Sequence, residues 1–380
     1  IGADAFSSCP NLIEISVSES NSVYSSITGV LFNNNQTTLI QCPGGMAGSY
    51  TIPDSVTNVG TYAFYQCAGL TNVIIGNSVA SIGNYAFRSC TSLINVEIPD
   101  SVISIGTYAF NGCTSLTSVA VGNGLTNIGA DAFSSCPNLT GFSVSESNSV
   151  YSSIAGVLFN KSQTTLIQCP GGMAGSYTIP DSVTNVATYA FYQCTGLSDV
   201  KIGNSVASIG SYAFRSCTSL IKISMPASVT NIGDYAFQTC SHLTAVYFYG
   251  NAPTIGGTNV FNNAANATII YLPGTAGWPM APGLWAGRPT ALWQSAHDFT
   301  YIANSLETNT VTITYYNGTG GTVTIPPMLA FLEDMTVTGI GSNAFQSCTS
   351  MTSVTIGDSV TNIGDYAFQS CNNLTNVMIG

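Results

Sequence analysis

The sequence predicts a repeat solenoid, a right-handed array with a parallel β-sheet on one face and short turns or helical turns on the other. Three observations predict it. An Ala-Phe pair followed three residues later by Cys recurs at Phe6, Phe64, Phe87, Phe110, Phe133, Phe191, Phe214, Phe237, Phe345 and Phe368. Six of the nine intervals between these phenylalanines are 23 residues. A second period, of 127 residues, relates Phe6 to Phe133, Phe64 to Phe191, Phe87 to Phe214 and Phe110 to Phe237. Fixed periods of this size mark units that cannot bury an apolar face alone and do so by stacking.

The unit beginning at Leu93 shows how each part arises. Val96 and Ile98 alternate with polar residues, the period of a strand with one buried side. Pro99 and Asp100 stop that strand, because Pro lacks a ladder donor and Asp favours a turn. Val102 and Ile105 are further inward anchors, and Gly106 allows a tight bend. Ala109, Phe110 and Cys113 have the spacing of a single helical turn. Stacked units pair their strands at about 4.8 Å, and crossover sterics make the array right-handed.

Larger divisions follow in chain order. Residues 1–250 are expected to be a first array of two blocks, 1–127 and 128–250. Each block carries a 35-residue insertion, seen in the stretch from Gly29 to Pro43 and again from Gly156 to Pro170, whose Asn-rich centre between apolar stretches predicts a β-hairpin on the solenoid flank. Residues 251–293, with Trp278, Trp285 and Trp293 and with Pro273, Pro279, Pro282 and Pro289, are expected to close the exposed end of that array. Residues 294–300 have the character of a linker. Residues 301–337, with V-T-I-T-Y-Y, N-G-T-G-G and T-V-T-I-P, predict a hairpin that opens a second, incomplete array at 338–380. Ile1 and Gly380 both fall inside a repeat, so the chain is expected to be a piece of a longer protein.

Composition excludes several classes. Six Lys+Arg against seventeen Asp+Glu give a net charge of −11, the wrong sign for gripping phosphates, so no nucleic-acid partner is expected. No apolar run approaches the roughly 20 residues of a membrane-spanning helix. Only two histidines are present, His242 and His297, and neither has a nucleophile or carboxylate arranged around it, Asp298 being ordinary linker polarity. The expectation is a non-enzymatic chain without cofactor or metal site.

The run Ser-Val-x-x-Ile-Gly-x-x-Ala-Phe-x-x-Cys-x-x-Leu-x-x-Val-x-Ile stands at Ser78 to Ile98, Ser101 to Val121, Ser205 to Ile223 and Ser359 to Ile379. It resembles the BspA-type leucine-rich repeat over nearly the whole chain. The resemblance implies a leucine-rich-repeat array and a surface-displayed or secreted microbial protein, in several cases linked to adhesion. It brings no catalytic motif. Departures are Val59-Gly60 and Val186-Ala187 in place of Ile-Gly, and Met351 in place of the strand Leu. Ala187 puts the tight bend of its coil in question.

Ten of the twelve cysteines occupy one repeat position, and Cys42 and Cys169 are equivalent sites in the two insertions. A column of parallel Cβ directions fits poorly with disulfide geometry. Without any C-x-x-C pair it also argues against zinc. Buried free thiols are expected. Tyr62, Tyr85, Tyr108, Tyr189, Tyr212, Tyr235 and Tyr366 each precede Ala-Phe, a row expected to stack on itself, with sugar stacking as the alternative. Sequons stand at Asn35, Asn138, Asn160, Asn266, Asn317 and Asn373, as an Asn/Ser/Thr-rich chain produces by chance.

Functional expectation rests on the two copies. Residues 1–97 and 128–224 differ at fifteen positions and agree at 97 − 15 = 82. The two outward residues flanking the strand Val are Glu14, Ser16, Asn72, Ile74, Asn95 and Glu97 in the first copy. In the second they are Gly141, Ser143, Asp199, Lys201, Lys222 and Ser224. Five of the fifteen differences fall on these six sites, while loop residues such as Ser20, Asn21 and Ser25 are unchanged. The alternative is drift at tolerant positions. Charges of opposite sign on the two faces bear on partner choice, and Tyr247, in place of Ala120, is a candidate anchor. The expected function is binding of protein or glycan partners at a cell surface or outside the cell. The alternative is a passive stalk that presents other domains.

Overall fold

The computed structural model describes residues 1, 5–6, 8–272, 275–280, 283–292, 299–305, 310–316, 320–325 and 336–380. Among them there is no helix; the chain winds as a parallel-stranded solenoid. Trp293, His297, Asp298, Pro273, Pro282, Asn317 and most of the expected linker lie outside the described residues.

Each coil has three sides. The strands Ala47–Thr51, Gly69–Ile74, Asn95–Ile98, Ser118–Val121 and Gly141–Val144 form a front sheet. Its order along the stack follows the sequence, with Ser118 opposite Asn95 and Gly141 opposite Ser118. Two-residue strands such as Ser81–Ile82, Ser104–Ile105 and Asn127–Ile128 form a parallel side sheet. The third side is the turn segment. In the unit from Leu93, the side chains of Leu93, Val96, Ile98, Val102, Ile105, Ala109, Phe110 and Cys113 are all buried. The apolar alternation in the sequence therefore sorts inward from outward correctly.

The turn segment is not a helical turn. Tyr108 has φ of +55° and Gly112 has +75°, left-handed values that interrupt a right-handed helix. The N–H groups of Tyr108, Phe110 and Gly112 donate to Ala130, Ala132 and Ser134 of the next coil, while those of Ala109, Asn111 and Cys113 close turns within their own coil. Alternate donors thus leave the coil, and this side becomes a hydrogen-bonded ladder in its own right. The same pair of left-handed positions recurs along the stack, at Tyr62 and Gln66, Tyr85 and Ser89, Tyr212 and Ser216. A non-Gly residue there costs free energy. Ring stacking along the tyrosine row offsets it: Tyr62–Tyr85 and Tyr189–Tyr212 centroids are both 4.9 Å apart.

Inside, Phe64, Phe87, Phe110 and Phe133 stack at 4.6, 4.9 and 5.2 Å with rings within 10° of parallel. Beside them runs the sulfur column. Cys90, Cys113 and Cys136 each donate Sγ–H to the carbonyl of Phe64, Phe87 and Phe110, the phenylalanine one coil back. A thiol is small enough for the core and still satisfies that carbonyl. All twelve thiols are free; nine are buried, and Cys9 is exposed. Burial pushes the Cys136 and Cys240 thiols up from 9.0 to about 12, and Cys90, Cys113 and Cys217 are raised for the same reason. Their folded values lie above the unfolded one, so this stability is complete below pH 9 and is lost as pH rises toward 12. The melting temperature is expected to fall from pH 9 to pH 11; a flat profile over that interval would contradict the buried column.

The insertion does not sit on the flank. Tyr24–Ile27 and Val30–Asn33 pair antiparallel, and Thr38–Gln41 then pairs parallel with Asn58–Val59, so the insertion heads the side sheet. Val30, Phe32, Leu39 and Cys42 are fully buried, because these alternating apolar residues supply one coil's share of core. That coil runs from Leu39 to Cys42 in three residues, Cys42 N donating to Ala63 O as Phe87 N does to Ala109 O, where an ordinary coil takes five from Ile105 to Phe110. It therefore lacks the Tyr-Ala-Phe turn.

The shortened coil accounts for Ala187. At Gly129 an added Cβ would lie 2.3 Å from Thr107 N and 2.5 Å from Gly106 C, both backbone atoms of the coil beneath. At Gly60, the first-block equivalent of Ala187, it would meet only Leu39 O inside 3.7 Å, at 2.9 Å. Where the coil beneath has no turn segment, Ala fits.

The repeat runs one coil past residue 250. Thr254–Ile255 and Thr268–Tyr271 extend the side and front sheets of the second block, and Phe261 stacks on Phe237 at 5.3 Å. Beyond that coil, Trp278 and Trp285 lie on Phe248, and Trp285 on Phe261. In the later segment Thr310–Tyr316 pairs antiparallel with Phe299–Ser305. It does not pair with Gly321–Ile325, which instead runs parallel to Met351–Ile356. Glycine-rich spacing suggested the nearer partner; the solenoid ladder claims that strand. Met351 is fully buried in the strand-Leu position.

Candidate functional site

The front sheet of the first block is built so that alternate residues stand outside the core. Val73, Val96 and Val119 are buried, and their neighbours form two outward columns. Ser49, Asn72, Asn95, Ser118 and Gly141 align in one, and Ala120 aligns with Glu97 and Ser143 in the other. Asn72 Nδ2 donates to Ser49 Oγ at 3.1 Å, and Ser118 Oγ to Asn95 Oδ1 at 2.7 Å. Asn72, Ile74, Asn95 and Glu97 are exposed, Ile74 to 52%.

At the C-terminal edge of these strands the I-P-D loops rise beside the sheet and leave a groove. One part, of about 390 Å³, runs from Glu97 and Asp100 to Ala120, Ser143 and Ser145. The other, of about 330 Å³, runs from Thr51 and Asp54 to Ile74, Asn95 and Glu97. Asn77, Glu97 and Pro99 line both parts. Asp100 is held in place, its Oδ1 accepting from Asn123 N at 2.7 Å and its Oδ2 from Asn123 Nδ2 at 3.1 Å. Sequence reasoning found the sheet residues but missed Asp54, Asn77, Pro99 and Asp100. The repeated I-P-D at 52–54, 98–100 and 179–181 was the available signal.

The other expected site residues lie elsewhere. Glu14 is exposed but on no strand; it accepts from Ser16 Oγ and lies against Gly29 at the hairpin tip. Its counterpart Gly141 meets Gly156 of the second hairpin tip, where the first front sheet ends. In the second block Asp199 aligns with Lys222, and Lys201 with Ser224, which aligns with Tyr247. The Asn72–Asn95 neighbours of the first copy thus become an opposite-charge Asp199–Lys222 pair, an arrangement that stabilises adjacent strands. Tyr247 is half-buried and, with Tyr249 and Ile270, packs against the core that contains Phe299 and Tyr301. Its ring serves a contact within the chain rather than an open face.

Other features are absorbed by the fold. The tyrosine rings occupy one another's faces, and Arg88 lies 5.5 Å over Tyr85. His242 is exposed, its Nδ1 donating to Thr218 O. The sequon amides of Asn138 and Asn373 donate to Thr114 O and Thr349 O of the coil before. Among the described residues no group of three or more His, Cys, Asp or Glu is placed to hold a metal ion, and no helix is long and apolar enough to cross a membrane.

Comparison with known proteins bears on the family and the fold. A family model described as BspA type leucine rich repeat region matches in six copies, over residues 46–165, 174–276 and 331–380. The pneumococcal vaccine antigen PcpA is similar in structure at 20% identity and a TM-score of 0.52, over 68% of this chain and 82% of that one. A leucine-rich repeat protein from Eubacterium ventriosum is similar at 20% identity and 0.49, over 92% and 93%. Another from Bacteroides ovatus stands at 22% and 0.48, over 96% and 89%. No curated protein matches the sequence.

Proposed function

The chain belongs to the BspA-type leucine-rich repeat family, and from that premise we propose that it is a non-enzymatic binding solenoid, secreted or displayed at a cell surface, that recognises protein or glycan partners. One observation carries this reading. The first front sheet sets Asn72, Ile74, Asn95 and Glu97 in the open above a fully packed interior, beside a groove that crosses the strands. Nothing in the core requires those four residue types, and four of the fifteen differences between the copies fall on them. PcpA, with the same fold, is a vaccine antigen, in keeping with a surface setting.

The test compares faces. Ile74→Arg on the front sheet and Ile103→Arg on the side of the coil each add a cation at a half-exposed isoleucine, so stability should change by no more than about 0.5 kcal/mol. Capture of partner proteins by crosslinking is expected to fail with the first and persist with the second. Equal capture by both would remove the sheet face from consideration.

A second reading, a passive stalk, draws on the agreement of the copies at 82 of 97 positions, loops included. Excision of one 127-residue block separates the two: a stalk keeps its presentation role, while a binder loses affinity.

A further inference from the structure

Resting on the sheet-face reading, we infer that the groove of the first block takes an extended segment of another protein carrying one lysine or arginine, and that Glu97 receives its charge. Glu97 lines both parts of the groove. Its carboxylate has no hydrogen-bond or ion-pair partner among the described residues. Asp54 and Asp100 flank it, and no Lys or Arg lines either part. A chain of net charge −11 adds a field of the same sign.

The shape specifies the rest. Five strands at about 4.8 Å spacing make a groove about 19 Å long, enough for about six extended residues. Its floor passes from Ile74 on one side of Glu97 to Ala120 on the other. An apolar side chain suits the Ile74 end, a cation the middle, and a small residue the Ala120 end. The second block lacks these features. There the same column is Lys201, Ser224 and Tyr247, so a cation meets a lysine and a tyrosine committed to an intrachain contact. One chain thus carries a cation-accepting face and its near-identical copy without one.

The whole chain is titrated with a pool of six-residue peptides, termini blocked, holding a central lysine and random flanks. The same pool with acetyl-lysine, and again with glutamate, provides the comparison. Lysine peptides are expected to bind about three- to tenfold more tightly than acetyl-lysine peptides, the range of a charge-assisted contact at a partly open site. Raising the salt should narrow that gap. Glu97→Gln should abolish the preference, and Ile74→Lys with Glu97→Ser, which writes Lys201 and Ser224 of the second copy's column into the first, should abolish binding. These positions are exposed, so thermal melting should be unchanged.

Ala120→Arg, which fills the groove, separates the two levels of the reading. If Ala120→Arg removes binding while acetyl-lysine peptides bind as well as lysine peptides, the groove stands and the cation is overturned. If no peptide binds and Ala120→Arg instead abolishes self-association in sedimentation, a second copy of the chain is the occupant and the inference falls. If neither Ala120→Arg nor Glu97→Gln changes anything, both the inference and the sheet-face reading fall.

Discussion

Phe110→Ala is expected to destabilise the first array by about 3–5 kcal/mol. The ring is fully buried, stacked 4.9 Å from Phe87 and 5.2 Å from Phe133 with planes 3° from parallel. Removing it takes away transfer free energy and leaves a cavity. The coil has little means of closing that cavity, because its backbone is tied on both sides. Phe110 N donates to Ala132 O, and Phe87 N to Ala109 O. In a stacked array each unit touches only its neighbours, so the loss also weakens the Phe87 and Phe133 coils and should broaden the urea transition. Ile103→Ala in the same coil, at a side chain 54% exposed, should stay within about 0.5 kcal/mol. Equal midpoints for the two variants would mean that the phenylalanine column does not hold the stack.

Gly129→Ala is expected to cost about 1–3 kcal/mol, the usual range for forcing a methyl group into a closed space, whereas Gly60→Ala should be close to neutral. The two glycines are equivalent in the repeat and need no left-handed backbone; they differ in what lies beneath. A methyl at Gly129 would meet three backbone atoms within 2.8 Å, none able to rotate away. At Gly60 the coil beneath is the short one formed by the insertion, and the sequence already places Ala187 at the corresponding site of the second block. Thermal melting of both variants decides the matter. A large loss at Gly60 would show that the missing turn segment does not explain the tolerance.

Much of the architecture was legible because the repeat states it many times over. The inward positions Leu93, Val96, Ile98, Val102, Ile105, Phe110 and Cys113 follow from a period-two strand and a 23-residue spacing, and each is buried. The free, stacked cysteines and self-covering tyrosines follow from one residue type recurring at one place. The spacing of Ala109, Phe110 and Cys113 suggests a helical turn that the chain does not form, because left-handed φ at a tyrosine leaves no trace in composition. The spacing of the insertion breaks the period and so suggests a hairpin on the flank. Its depth depends on which strand claims its edge, a long-range pairing with Asn58–Val59.

The candidate site divides in the same way. Asn72, Ile74, Asn95 and Glu97 could be named from alternation alone, since a side chain beside an inward valine must point outward. Their assembly with Asp54, Asn77 and Asp100 into one groove could not, because those residues come from loops of different coils. The covering of Tyr247 by the segment beginning at Phe299 is equally invisible locally.

The sequence by itself determined the unit, its inward face and the chemistry of its outward columns, since period and side-chain type act within a single coil. Only the tertiary structure decided that Tyr247, at the end of the second copy's sheet, packs against another core, because that depends on where the distant segment beginning at Phe299 comes to rest.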